Sequence, residues 1–241
     1  MAIIRTAYWY TFMVIDVIIL VMFYAPMKAK QKHITKEEYE TLVNNRVRKW
    51  AVRQLKNTGA NFSIKGHENI PKEGGVLFVS NHQSYFDIGL FLAYISKNKG
   101  FIAKLGVSTI PFISNYLKDL RCVFIDRGNL RQNMQTILEG IEILKQNYSL
   151  VVFPEGTRNV DIGQFKAGSF KLATKSGVPI VPVTIDGAYK ILEKGKKLIY
   201  PANVFMTIHP PIYTKDMQKE EEEKLHINVR EIIKNAIKPT N

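Results

Sequence analysis

The stretch Val76-Leu77-Phe78-Val79-Ser80-Asn81-His82-Gln83-Ser84-Tyr85-Phe86-Asp87 carries an apolar run into a polar turn, with an aspartate five positions after a histidine. Ser84 stands three residues before Asp87, the spacing of a capping box, so the pattern predicts a strand, a turn and a helix start. His82 then lies in the turn and Asp87 in the first helical turn. On one continuous helix this offset would put the two side chains on different faces. Across a strand–helix junction the loop can fold back and bring carboxylate to imidazole. A carboxylate on one ring nitrogen fixes the tautomer and leaves the other nitrogen facing a substrate hydroxyl, as a general base requires. The same spacing also fits a turn histidine beside a capping aspartate, with no chemistry attached. No serine or cysteine stands in a recognisable nucleophile elbow, so direct attack by an activated hydroxyl is simpler than a covalent enzyme intermediate.

A second apolar run, Val151-Val152-Phe153, ends in Pro154-Glu155-Gly156-Thr157-Arg158. Gly156 permits a close backbone approach or a positive φ, and Arg158 offers a planar fork suited to phosphate. Phe124-Ile125-Asp126-Arg127 places Arg127 at a further strand end, and Lys104 closes the run Phe101–Lys104. One strand-end cation is ordinarily solvated surface. Several cations with a His/Asp pair point to a shared anionic pocket, provided those strand ends lie on one edge of a sheet.

The elements that must position these residues follow from the patterning. Short β-rich runs are predicted as strands at Phe62–Lys65, Val76–Ser80, Phe101–Lys104, Cys122–Asp126, Leu150–Phe153, Ile180–Ile185 and Val204–His209. Helices are predicted between them at Tyr85–Lys97, Thr109–Lys118, Leu130–Asn147, Gly168–Ser176 and Lys215–Lys238. The alternation predicts an α/β fold, a layered mixed sheet with flanking helices, with chemistry on the loops at strand ends. The acidic run Glu220–Glu223 near the start of the last helix suits the helix macrodipole. With no internal repeat or low-complexity linker in view, residues 58–241 read as one catalytic domain behind an N-terminal region of residues 1–57.

That N-terminal region is made for a bilayer or its surface. From Ala7 to Met27 only Thr11 and Asp16 interrupt the apolar residues, and as a helix the stretch reaches about 31 Å at ~1.5 Å per residue. Its length and the lack of a small-residue cleavage site set it apart from a cleaved signal peptide. Tyr8, Trp9 and Tyr10 cluster at one end; Lys28, Lys30 and Lys32 follow the other. A carboxylate at the centre of a lone spanning helix costs roughly 2.5–3.5 kcal/mol on insertion scales. Asp16 therefore leaves open a helix that dips into one leaflet instead of crossing, and together with the helix that follows, a monotopic hairpin is favoured over a true span. Between Lys36 and Lys56, the residues Tyr39, Leu42, Val43, Val47, Trp50 and Ala51 recur on one face, with Arg46, Arg48, Lys49, Arg53 and Lys56 largely outside it. A basic helix with a tryptophan on its apolar side suits an anionic interface. The plainer reading is an amphipathic helix packed on the protein.

The formal net charge of +13 agrees with an anionic partner and, alone, does not choose one. A nucleic-acid partner is disfavoured, because no helix-turn-helix, zinc or RNA-binding signature appears and the apolar N-terminus would go unexplained. Cys122 is the single cysteine, in a run that reads as a buried strand, so neither a disulfide framework nor a thiolate metal cluster is expected.

Taken together, these blocks resemble the glycerophospholipid acyltransferases, and among them the 1-acylglycerol-3-phosphate branch. The first block is Asn81-His82-Gln83-Ser84-Tyr85-Phe86-Asp87, the second Phe124-Ile125-Asp126-Arg127, the third Phe153-Pro154-Glu155-Gly156-Thr157-Arg158 and the fourth Val178-Pro179-Ile180-Val181-Pro182-Val183. Order and spacing fit from about Phe62 to Ile185. Asn159 departs from the pattern, since a serine is common there.

The resemblance implies transfer of a fatty acyl group from an acyl carrier protein or coenzyme A thioester to the sn-2 hydroxyl of 1-acylglycerol 3-phosphate, making phosphatidic acid. It implies His82 as base and Asp87 as its orienting partner. Arg127, Glu155, Gly156 and Arg158 would bind or position the acceptor phosphate, with Lys104 a further contact. Glu155 has a structural reading beside this one: pairing with an arginine and holding the turn. The resemblance implies neither metal nor cofactor, and a place on the cytoplasmic face of the membrane. Two rivals remain, a non-enzymatic module for anionic membranes and an acyltransferase for another lysophospholipid or glycerol 3-phosphate.

Overall fold

The β-branched runs form seven strands in a computed structural model that describes all residues except Phe112, Arg127, Asn129, Lys194 and 238–241, and the side chains of Leu130 and Arg131. The strands are β1 (Asn61–Lys65), β2 (Leu77–Ser80), β3 (Lys99–Lys104), β4 (Val123–Ile125), β5 (Ser149–Val152), β6 (Ile180–Asp186) and β7 (Asn203–Ile208). All seven fall where the sequence predicts them, within a residue or two. They make one sheet in the order β1-β7-β6-β2-β5-β3-β4. From β6 to β4 every pairing is parallel, with Val79 opposite both Val152 and Pro182, and Lys104 opposite Ile125. Outside the named strands, Ile212 forms an isolated antiparallel bridge with Ile180.

The helices are α1 (Ala2–Lys30), α2 (Lys36–Asn57), α3 (Phe86–Tyr94), α4 (Ile113–Asp119), α5 (Leu130–Lys145), α6 (Lys171–Ser176) and α7 (Lys219–Asn235). Several are shorter than predicted, for local reasons. Ile95 turns extended and stops α3 before Lys97. α4 starts only after Pro111, and a tight 3-10 turn over Ala167–Phe170 replaces the first turn expected of α6. The extended Gln218 delays α7 to Lys219, and three glutamates fill its first turn, as the macrodipole favours.

The chain forms two compact units. One comprises Ile64–Gln83, Lys99–Asp186 and the residues from Met206 onward. Its strands β2 and β5 are buried at every position and apolar except for Ser80 and Ser149, the near-continuous apolar run expected of a parallel sheet covered on both faces. Leu77, Val79, Leu150, Val152 and Ile180 share a core with Ile141 and Leu144 of α5, Leu172 of α6, and Leu225, Val229 and Ile233 of α7. Each fully buried side chain of this kind contributes roughly 1.5–3 kcal/mol. The core therefore fixes the level at which each strand ends.

The other unit comprises Met1–Ser63, Ser84–Asn98 and Gly187–Phe205. A capping box at Thr35 and Glu38 starts α2 directly after the turn that ends α1. Contacts descend along α1 as they rise along α2: Trp9 donates to the Gln54 carbonyl at 3.0 Å, Arg46 lies over Phe23, and Lys28 over Tyr39. The pair is an antiparallel hairpin. Arg48 of α2 donates to the Ala93 carbonyl at 3.0 Å, a cation on the last turn of α3.

Two expectations about this region change. The α2 stripe Tyr39, Val43, Val47 and Ala51 is buried inside the unit, so it is not an interface face. The plainer reading of that stripe holds, because i,i+4 spacing presents one edge to neighbouring helices. The apolar surface left exposed belongs to α1, at Val14, Ile15, Ile18, Met22 and Phe23, and α1 is the one described helix long and apolar enough to cross a membrane. Asp16 also has its explanation. Its carboxylate is buried and takes Arg53 Nε at 3.1 and 3.2 Å, Arg53 Nη2 at 3.0 Å and Gln54 Nε2 at 2.6 Å.

A buried charge with satisfied partners fixes register more than it adds stability. Arg53→Ala strands the Asp16 carboxylate and should cost about 1–3 kcal/mol, below the usual figure because Arg53 is half exposed and Gln54 remains. Asp16→Leu removes the charge itself and should stay within about 1 kcal/mol of wild type. Urea midpoints in detergent decide this, and equal losses for the two variants would mean that the pair does not set the hairpin.

Candidate active site

Because β2, β5, β3 and β4 run parallel, the segments that follow them leave from one edge of the sheet. The condition set by the sequence is met: Asn81 and His82, Phe153–Arg158, Lys104 and Asp126 share that edge. Arg127 lies outside the described residues.

The turn after β2 is pinned by a side chain imitating a strand. Asn81 is buried, its Nδ2 donating to the Ile185 carbonyl at 2.8 Å and its Oδ1 accepting from the Ile185 N–H at 2.9 Å. That amide continues the β2–β6 ladder by one rung after the backbone has turned away. His82 follows, half-buried, its ring stacked on Phe153 at 4.2 Å between centroids and 20° between planes. Its backbone is gripped on both sides. The His82 N–H donates to Glu155 Oε1 at 2.9 Å, and the His82 carbonyl accepts from the Asn159 N–H at 2.8 Å.

Glu155 is buried in the turn after β5, and its position decides how the two loops meet. The turn closes by the Gly156 N–H donating to the Phe153 carbonyl at 3.0 Å, with Gly156 at φ 71°, a region where a side chain is strained. The Glu155 carboxylate then faces inward. Oε1 takes the His82 N–H; Oε2 takes the Gly163 N–H at 2.9 Å and Asn159 Nδ2 at 3.3 Å. Three N–H donors replace the water that this carboxylate gives up. Its bonds match the structural reading of the residue, with backbone and amide N–H groups where an arginine was expected. Arg158 is half-buried beyond the turn, and Lys104 is exposed at the end of β3.

Asp87 belongs to the other unit, where it opens α3 fully buried. Its Oδ2 accepts from the Ser84 N–H at 2.8 Å, while Ser84 Oγ accepts from the Phe86 N–H at 3.4 Å. Only half of the capping box that the spacing predicts forms, the Asp87 carboxylate reaching back to the Ser84 N–H, and α3 has Tyr85 as its N-cap with no side-chain cap bond. Cys122 is buried, and burial pushes its thiol up to about 12, so it supplies no thiolate at neutral pH.

Sequence reasoning missed the holding roles of Asn81, Phe153, Asn159 and Gly163. A signal was present for Asn81, a polar amide directly after a buried strand with a histidine next to it. Nothing in the sequence pointed to Gly163.

Residues 61–186 match the Acyltransferase family model. A chloroplastic 1-acyl-sn-glycerol-3-phosphate acyltransferase of Arabidopsis thaliana is 37% identical over 155 residues, 63% of this chain and 43% of that protein. A 1-acyl-sn-glycerol-3-phosphate acyltransferase of Borreliella burgdorferi is 30% identical over 177 residues, 73% of this chain and 71% of that one. The chain spans about half the length of several of the curated relatives it matches. The crystal structure of the 1-acyl-sn-glycerophosphate acyltransferase PlsC from Thermotoga maritima superposes with a TM-score of 0.83 at 32% identity, over 97% of this chain and 93% of that one. With four motif blocks in order, a matching family model and a like fold over nearly its whole length, the chain belongs to the acyltransferase family, in its 1-acyl-sn-glycerol-3-phosphate acyltransferase branch.

Proposed function

We propose that this protein transfers a fatty acyl group from an acyl carrier protein or coenzyme A thioester to the sn-2 hydroxyl of 1-acylglycerol 3-phosphate, giving phosphatidic acid. The observation that carries the reading is the half-buried His82 imidazole, held by its own backbone on the sheet edge that also bears Lys104 and Arg158. Family membership and the acceptor in the relatives' names support the same acceptor here.

His82 takes the proton of the sn-2 hydroxyl as its oxygen attacks the thioester carbonyl. Asp87 orients the imidazole and stabilises its protonated form. The tetrahedral oxyanion is stabilised by a backbone N–H near Gly156. Collapse breaks the carbon–sulfur bond, and the imidazolium returns its proton to the leaving thiolate. Arg158, Lys104 and Arg127 hold the acceptor phosphate, with Gly156 letting the backbone approach it. Glu155 we assign to holding the turn, because its oxygens are engaged by N–H groups and a second anion would repel phosphate.

The acceptor hydroxyl lies near the headgroup level of a bilayer, whereas the donor arrives from water. An enzyme joining them works best at the interface. The exposed apolar residues of α1 and the basic outer face of α2 suit a monotopic anchor on an anionic phospholipid membrane, at its cytoplasmic face.

Three measurements test this reading. His82→Ala should lose at least ~10²-fold in rate while leaving folding and membrane binding intact, and Asp87→Asn should lose most activity. More than about a tenth of the rate in His82→Ala would require a different base. Arg158→Ala should raise KM for a phosphorylated acceptor by roughly 10–200-fold, the loss of a charge-assisted contact, and an unchanged KM and rate would remove Arg158 from the site. In sealed vesicles, impermeant maleimide should reach cysteines introduced at the exposed Ile3 and Lys215 from the same side. Labelling from opposite sides would mean that α1 spans.

A further inference from the structure

The loop that carries Glu155 is also held from an element outside the family match at residues 61–186. Arg230 of α7 donates from Nε to the Gly163 carbonyl at 2.7 Å and from Nη2 to the Ile162 carbonyl at 3.3 Å, while its Nη1 meets the Glu231 carboxylate. Its side chain is 24% exposed. The Ile162 carbonyl and the Gly163 N–H belong to one peptide group, and that N–H is the donor to Glu155 Oε2 at 2.9 Å. One peptide plane therefore stands between a guanidinium and a carboxylate, accepting from the first and donating to the second. Bonds in such a series polarise and strengthen one another. The other Glu155 oxygen takes the His82 N–H.

The packing leaves little slack in this chain of contacts. A Cβ at Gly163 would lie 3.2 Å from Glu155 Oε2 and 3.5 Å from Asn159 Nδ2, so a side chain there presses on the carboxylate. Asn159 closes a second arm, its Nδ2 on Glu155 and its N–H on the His82 carbonyl.

We propose that Arg230 is a positioning residue of the acyl-transfer site, acting through the 162–163 peptide group and Glu155 on the backbone of His82. The proposal rests on the reading of His82 as the base. It extends the site to the C-terminal helix, where no motif of the sequence pointed. A guanidinium that merely ties α7 to a surface loop would alter stability. One that sets the height of the imidazole alters the chemical step and leaves substrate binding alone.

The test uses the full chain in detergent, with initial rates read by lipid mass spectrometry and amide hydrogen exchange followed in peptides covering 81–83 and 162–164. Arg230→Gln should lower kcat about tenfold, the size of a modest loss of alignment, with both KM values unchanged within about twofold. Arg230→Lys, which keeps a single-point donor, should recover part of that loss. Gly163→Ala should reproduce it with the guanidinium intact. Exchange should quicken at both peptides in Arg230→Gln, compared at equal distance below the melting temperature.

The deciding variant combines Arg230→Gln with His82→Ala. If Arg230 acts through His82, the double variant keeps the residual rate of His82→Ala. The same tenfold fall in both backgrounds, a change in KM in place of kcat, or unaltered exchange at 81–83 would each overturn the proposal. Failure of the base assignment shows elsewhere, as retained activity in His82→Ala with Arg230 untouched. Exchange in Arg230→Gln then still decides whether the link exists.

Discussion

Burying the carboxylate of Glu155 costs several kcal/mol unless fixed donors replace its lost water. The donors it finds belong to two separate stretches of chain, the turn after β2 and the loop that returns at Gly163. Asn81 pins the first only at its root, and the second contains no helix or strand of its own. With the carboxylate between them they become one object, because releasing either stretch leaves a charge partly unpaired in a dry turn. The rest of the site's geometry follows from this constraint. Phe153 is carried to the face of the His82 ring, and Asn159 comes within reach of the His82 carbonyl. The parallel sheet supplies the precondition, since only parallel neighbours deliver both loops to the same edge.

Most of the fold was legible in the sequence. Runs such as Val76–Val79 and Val151–Phe153 are apolar at every position and lead into polar turns, which in a parallel sheet is as strong a signal as alternation. The bond from the Ser84 N–H to Asp87 was legible too, because it is local in sequence, although α3 starts one residue later than that spacing predicts. What stayed hidden depends on long-range contact. Asp16 reads as a liability inside an apolar helix until Arg53 and Gln54, some 37 and 38 positions later, are brought against it. The α2 stripe has the same spacing whether a membrane or a helix covers it, and periodicity alone does not choose. Glu155 belongs to a motif that a reader assigns to substrate, yet its partners are backbone N–H groups, which no residue type announces.

Asp16 and Glu155 make one use of charge in two places. In each, a carboxylate inside the protein is compensated by donors from a distant segment, and so specifies which segments meet. Apolar contacts are less selective, since a stripe of valines packs nearly as well one turn out of register. A buried anion with placed donors has a single solution. In the hairpin this fixes α1 against α2 and leaves the apolar outer residues of α1 available for a bilayer. From the turn after β5 it fixes the backbone of His82, the proposed base, in the turn after β2.

The proposed division of labour between clamped and loose residues also follows from how forces fall with distance. Attraction between a cation and a phosphate declines slowly: at an effective dielectric of about 20 it drops from roughly 4 to roughly 3 kcal/mol between 4 and 6 Å. An exposed Lys104 and a half-buried Arg158 can thus serve an anion without being fixed tightly. Proton transfer is less forgiving, because a hydrogen bond is lost beyond about 3.5 Å or at a poor angle. A base that moves by an ångström stops being a base. The residues with the strictest demand on position are accordingly those with the most restraint: His82, held at its N–H, its carbonyl and its ring, and behind it Glu155, held at both oxygens.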